Sequence, residues 1–181
     1  FMTDQFWMDK ALQLASRAEQ AGEVPVGAVI VKDGRLIAEG YNQMISLNDP
    51  SAHAEMQAVR QAGQYLQNYR LSDCTLYVTL EPCSMCAGML VHSRLARLVF
   101  GASDYKTGAA GSIMNLVQHP QLNHQLEVTG GVMAEQCAAS LSAFFQRRRR
   151  EKKAAKQPAA KPAAGNATGG SGDPEVPDDP A

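Results

Sequence analysis

The chain has 181 residues, 45% hydrophobic and 19% charged, which is the make-up of one ordinary folded domain with some chain left over and excludes collagenous, wholly disordered and membrane-spanning classes. A formal net charge of -1 hides an uneven distribution. Residues 1–146 hold 9 basic and 13 acidic groups, 147–161 hold 8 basic and 1 acidic, and 162–181 hold 4 acidic and none basic. The basic block reads either as an electrostatic footprint for nucleic acid or as the solvated end of a terminal helix.

No apolar run approaches the ~20 residues of a membrane helix, so no membrane partner is expected. Met2 reads as the natural start, and nothing after it has the basic and apolar regions of a signal peptide. A cytoplasmic, reducing setting is therefore expected for the four cysteines, Cys74, Cys83, Cys86 and Cys137. In that setting a C-x-x-C pair serves metal binding or redox chemistry more often than a structural disulfide.

In chain order, apolar residues recur at helical spacing over 3–21, predicting a first helix. Residues 26–31 and 36–40 are apolar runs joined by Lys32-Asp33-Gly34-Arg35, whose Asp-Gly suits a tight antiparallel hairpin. Residues 41–51 read as a loop, and 52–63 as a helix ended by glycine, with His53 in its first turn. Strand 75–80, helix 83–92 and strand 96–101 form a βαβ unit with parallel strands. A mobile loop is expected over 104–112, a weak strand over 126–128, and a long helix from 134 to about 156. These elements predict a three-layer α/β/α sandwich, with helices on both faces of a five-stranded mixed sheet. The expected folded domain is 1–156. Residues 157–181, rich in Pro, Ala, Gly and acid, are expected to be disordered.

The chemistry concentrates in His53-Ala54-Glu55 and Pro82-Cys83-Ser84-Met85-Cys86, both at predicted helix starts. A helix N-terminus offers unpaired amides and partial positive charge, which favour thiolates. Cys83 and Cys86, at i and i+3, share a helical face and can reach one metal ion. With His53 they make three ligands, and three ligands leave zinc a position for water, whose pKa the metal lowers towards neutrality. Glu55 is placed to take that water's proton. Against this stands the spacing of His53 and Glu55, since residues at i and i+2 on a regular helix diverge. A redox dithiol remains open, as does a structural zinc with a fourth ligand from Cys74, His92, His119, His124 or Cys137. Cys74 and Cys137 are expected to pack in the core.

The two motifs together resemble the signature of the zinc-dependent cytidine deaminase superfamily. The closer resemblance is to the bacterial tRNA-specific adenosine deaminases. It is carried by Glu23-Val24-Pro25-Val26-Gly27-Ala28, Asp49-Pro50-Ser51-Ala52-His53-Ala54-Glu55, Tyr77-Val78-Thr79-Leu80-Glu81-Pro82-Cys83, Lys106-Thr107-Gly108-Ala109-Ala110-Gly111-Ser112 and Asn123-His124, and it covers roughly residues 4–150.

This resemblance implies a cytidine deaminase-like fold and hydrolytic deamination of the wobble adenosine to inosine in a tRNA anticodon, in bacteria that of an arginine tRNA. It implies one zinc ion per subunit on His53, Cys83 and Cys86, with Glu55 as proton shuttle and the amides near Ala54 and Cys83 orienting the base. Asn42 matches a base-contacting asparagine, with a turn asparagine as the alternative. Asp104 matches a residue near the target ribose, where a carboxylate accepting from a 2′-hydroxyl favours RNA; a loop-capping aspartate is the alternative. Phe144, Phe145, Arg148 and Arg149 match a terminal helix that holds the anticodon stem-loop by stacking and phosphate contact. Of the two adjacent phenylalanines, helical spacing allows one to be core while the other is exposed. Tyr105, beside Asp104, stands where no fixed pattern is matched. The resemblance further implies a homodimer. A free-base or nucleoside deaminase and a non-catalytic, zinc-stabilised RNA-binding module are the competing functions.

Overall fold

A computed structural model describes residues 2–158; apart from Gln157 and Pro158, the expected tail lies outside the described residues. Five strands form one mixed sheet: β1 (Gly27–Lys32), β2 (Arg35–Tyr41), β3 (Cys74–Leu80), β4 (Arg97–Ala102) and β5 (Glu127–Thr129), in the order β2-β1-β3-β4-β5. β1 pairs antiparallel with β2 and β3, whereas β3, β4 and β5 run parallel. The hairpin turns through Asp33 and Gly34 with φ of 50° and 73°, the doubly left-handed backbone that the Asp-Gly pair implied.

Both faces of the sheet are covered, as expected. Ala28, Ile30, Leu76, Val78, Leu98 and Phe100 point to one side and pack with Ala54, Ala58 and Ala62 of α3 (Ala54–Leu66) and Ala87, Leu90 and Val91 of α4 (Ser84–His92). The alternate residues Val29, Val31, Tyr77 and Val99 point to the other side, against Trp7, Met8, Ala11 and Leu14 of α1 (Asp4–Gln20) and Cys137 of α5 (Ala134–Ala155). This period-2 division is what a strand buried on both faces requires. Thr3 starts α1 as an N-cap whose hydroxyl accepts from the Phe6 amide.

Three expectations are corrected. The 41–51 loop contains a one-turn helix, α2 (Met44–Leu47). Gly63 does not end the second long helix, which runs on to Leu66 and stops at Gln67 in left-handed backbone, φ 51°. Residues 104–112 do not form a loose loop but are tied to a buried carboxylate, that of Glu81. No described helix is long and apolar enough to cross a membrane.

Candidate active site

The starts of α3 and α4 meet on the side of the sheet where β3 and β4 deliver their carboxyl ends, the usual place for a site in a parallel sheet. His53 is the N-cap of α3, with extended backbone (φ -69°, ψ 156°), and Cys83 is the N-cap of α4, likewise extended (φ -72°, ψ 174°). His53 therefore precedes the first turn that the sequence assigned it to. That one-residue difference removes the objection to its spacing from Glu55, because the divergence of i and i+2 side chains holds only when both are helical.

His53 Nδ1 lies 3.6 Å from Cys83 Sγ and 3.5 Å from Cys86 Sγ, and the three ligand atoms fall within 4.8 Å of one another. Zinc bonds of about 2.0–2.1 Å to nitrogen and 2.3 Å to sulfur, at tetrahedral angles, separate N and S by about 3.6 Å. The donor set thus suits zinc in both chemistry and spacing. Among the described residues no fourth Cys, His, Asp or Glu joins the group. Cys74 and Cys137 are buried in the core.

Charge is strongly shaped here. The Cys83 thiol is pushed down to about 4, first by its hydrogen bond with Cys86 and, against the opposing effect of burial, by His53. Cys86 is pushed up by the same bond and by burial. The Cys83 bond also raises His53, with burial opposing. Glu55 is 4% exposed. Burial raises its carboxyl above the usual carboxylate range, although its own amide and the His53 charge pull the other way.

Asn42, at the end of β2, is buried, and its Oδ1 accepts from the Ala54 amide at 2.9 Å. That bond satisfies one of the free amides at the start of α3. Ala54 itself is fully buried, and its amide is already committed to Asn42. Asp104 caps its own loop, accepting from the amides of Lys106 and Thr107 and from the Thr107 hydroxyl at 2.7 Å. These bonds outweigh burial and hold its carboxyl below the usual range. Asp104 nevertheless lines a cavity of about 560 Å³ together with Tyr105, Lys106, Leu141 and Phe145.

On α5 the two phenylalanines separate. Phe145 is 44% exposed and faces that cavity, whereas Phe144 is 2% exposed. The Phe144 ring is covered by the guanidinium groups of Arg148 and Arg147, 5.0 and 5.6 Å from its centroid. The stacking role expected of Phe144 is corrected on that ground, since its ring has no free face to offer a base. Arg148 donates to the Gly22 carbonyl at 2.6 Å and Arg147 pairs with Glu19 at 2.8 Å. Arg149 stands exposed beside Arg150 and Lys153.

Two buried carboxylates that the sequence reasoning left without a role frame the site. Glu23 accepts from the Ile45 amide and from the amide and hydroxyl of Ser46, capping α2. Glu81 ties down 104–112. In the sequence each is marked only by its place in a segment that carries the family resemblance, Glu23-Val24-Pro25-Val26-Gly27-Ala28 or Tyr77-Val78-Thr79-Leu80-Glu81-Pro82-Cys83.

The family model of MafB19-like deaminases matches residues 2–149. Over 150 residues the chain is 58% identical to the tRNA-specific adenosine deaminase of Haemophilus influenzae, covering 82% of this chain and 87% of that protein. Over 154 residues it is 48% identical to the tRNA-specific adenosine deaminase of Bacillus subtilis, covering 85% and 96%. It is also similar to a solved structure from studies of A-to-I editing by tRNA:A34 deaminases at the wobble position of transfer RNA. The TM-score is 0.73 at 42% identity, over 75% of this chain and 99% of that one.

Proposed function

The chain belongs to the tRNA-specific adenosine deaminase family, and from that premise we propose that it converts the wobble adenosine of a tRNA anticodon, in bacteria that of an arginine tRNA, to inosine and ammonia. The observation that carries the reading is the buried Glu55 carboxylate set against the His53, Cys83 and Cys86 cluster. A closed structural site has no use for such a group.

His53, Cys83 and Cys86 would hold one zinc ion per subunit, and that ion would make water acidic enough to act near neutral pH. Glu55 takes a proton from the attacking water, holds it in a pocket that favours the protonated carboxyl, and delivers it to adenine N1 as the oxygen bonds to C6. Once the oxygen is bonded to C6, Glu55 takes its remaining proton and passes it to the C6 nitrogen, so that the C–N bond breaks, the C6 carbonyl forms and ammonia departs with no other reactant. Asn42 turns its Nδ2 to an acceptor on the purine edge, its Oδ1 being committed to Ala54. Asp104 accepts from the 2′-hydroxyl of the target ribose and so favours RNA. Phe145 stacks on an anticodon-loop base while Arg149 meets phosphate. The working molecule is a homodimer in a cytoplasmic setting, and sedimentation at working concentration tests that state.

The substrate assignment is tested by comparing product from an arginine-tRNA anticodon stem-loop with that from free adenosine, cytidine and guanine. Inosine in the stem-loop, with the free compounds untouched, supports it. Turnover of a free base or nucleoside in place of the stem-loop would overturn it.

A further inference from the structure

The mechanism above makes no use of Glu81, yet this carboxylate is 2% exposed and more heavily hydrogen-bonded than any group in the catalytic cluster. Oε1 accepts from the Asp104 amide at 3.1 Å and from the Ser112 hydroxyl, and Oε2 accepts from the amides of Ala110 and Ser112 at 3.0 and 3.1 Å. All of these donors lie in the segment that follows β4, 23 to 31 residues away in sequence. The same segment is fastened to the metal-binding turn itself. The Ala109 amide donates to the Pro82 carbonyl at 2.8 Å, and Gly108 bridges Cys83. Gly108 lies so close that a Cβ there would collide with the Glu81 carboxylate and the Asp104 carbonyl, so the loop is moulded on the carboxylate itself.

We propose that Glu81 is a positioning residue for substrate: it holds residues 104–112 in the shape that presents Asp104 to the target nucleotide. The proposal rests on the substrate reading given above. The Asp104 backbone is fixed from one side by Glu81, and its side chain is fixed from the other by Lys106 and Thr107. The orientation of that carboxylate, and with it the wall of the cavity it shares with Phe145, follows from the loop's backbone.

The demand is chemically specific. Every partner of the Glu81 side chain is a donor, and only a carboxylate presents two oxygens that both accept. A glutamine of the same size has one such oxygen. In one amide orientation its NH2 faces the amides of Ala110 and Ser112; in the other it faces the Asp104 amide and a hydroxyl that can reverse its role. Either way at least one buried backbone N–H is left against another donor, and such a group costs stability where it sits.

The test uses zinc-loaded Glu81→Gln beside the wild type and Ser112→Ala, with three readouts: amide exchange at 104, 110 and 112; bound zinc; and KM and kcat on the anticodon stem-loop. In Glu81→Gln the amides lose protection, zinc content stays at one per chain, and KM rises about tenfold or more while kcat changes much less. Ser112→Ala removes one of the four donors but leaves every backbone amide paired, so its amide protection and KM fall between wild type and Glu81→Gln, with zinc unchanged. Unchanged protection or an unchanged KM in Glu81→Gln would overturn the proposal, as would loss of zinc, which would make Glu81 a support for the metal instead. Wild-type protein that fails to turn over the stem-loop refutes the substrate reading, a result that does not depend on Glu81.

Discussion

Phe144 and Phe145 are neighbours in sequence with opposite surroundings, so truncating each to alanine separates packing from recognition. Burying a phenylalanine side chain is worth about 1.5–3 kcal/mol, and the cavity left by truncation raises the usual cost to about 3–5 kcal/mol. Phe144, 2% exposed and roofed by two guanidiniums, falls in that range. With a urea dependence of about 1–3 kcal/mol per molar, the unfolding midpoint of Phe144→Ala drops by roughly 1–5 M. Phe145 is 44% exposed, and its loss costs folding about 0.5 kcal/mol or less, as is usual at a surface position. Its loss costs RNA binding about 1–3 kcal/mol of base stacking, or roughly 5- to 150-fold in Kd. The assay is urea denaturation of both variants with stem-loop affinity measured at one fixed salt concentration. Equal destabilisation by the two substitutions, or unchanged RNA affinity in Phe145→Ala, would refute the reasoning.

Asp4 is held below its ordinary value of 3.8, first by the hydrogen bonds from Arg97 and also by that from Tyr77. A carboxyl depressed in the folded state contributes stability above its unfolded pKa and loses it as pH falls through the folded one. Wild type is therefore more stable than Asp4→Asn at pH 7, and the gap closes below about pH 4; chemical denaturation across pH measures it. The salt dependence of stem-loop binding should lose about 0.7–0.9 in slope in Arg149→Ala. It should barely move in Arg147→Ala, whose guanidinium is engaged by Glu19 and Glu151. Gly27→Ala should destabilise the fold by about 1–3 kcal/mol or more, because its Cβ would meet the Ala11 carbonyl and the Ala15 amide of α1; thermal unfolding checks this.

Long periodic elements were legible in the sequence because their signals are local. The alternation through β1, β3 and β4 and the stripe on α1 are set by neighbours a few residues away. The boundaries that matter most to the site were less legible. His53 and Cys83 are N-caps without the Ser, Thr, Asp or Asn side chain that marks such a position, so the sequence placed both inside their helices. Gly63 looked like a stop signal, yet helix packing carried α3 past it. α2 is too short to show a period and is capped by Glu23 from 22 residues upstream. The same remoteness hid the role of Glu81. For α2 and for Glu81 the deciding contact is long-range, and a one-dimensional pattern does not carry it.

The claim that Glu55 moves the proton while His53, Cys83 and Cys86 hold the metal is tested most directly by one comparison. Inosine formation in the arginine-tRNA anticodon stem-loop is measured for wild type, Glu55→Ala and chelator-stripped wild type, with zinc content and fold followed in each. The account predicts product from the wild type, a Glu55→Ala protein that keeps zinc and fold but loses turnover, and activity restored to the stripped protein by zinc. Turnover retained in Glu55→Ala would contradict it.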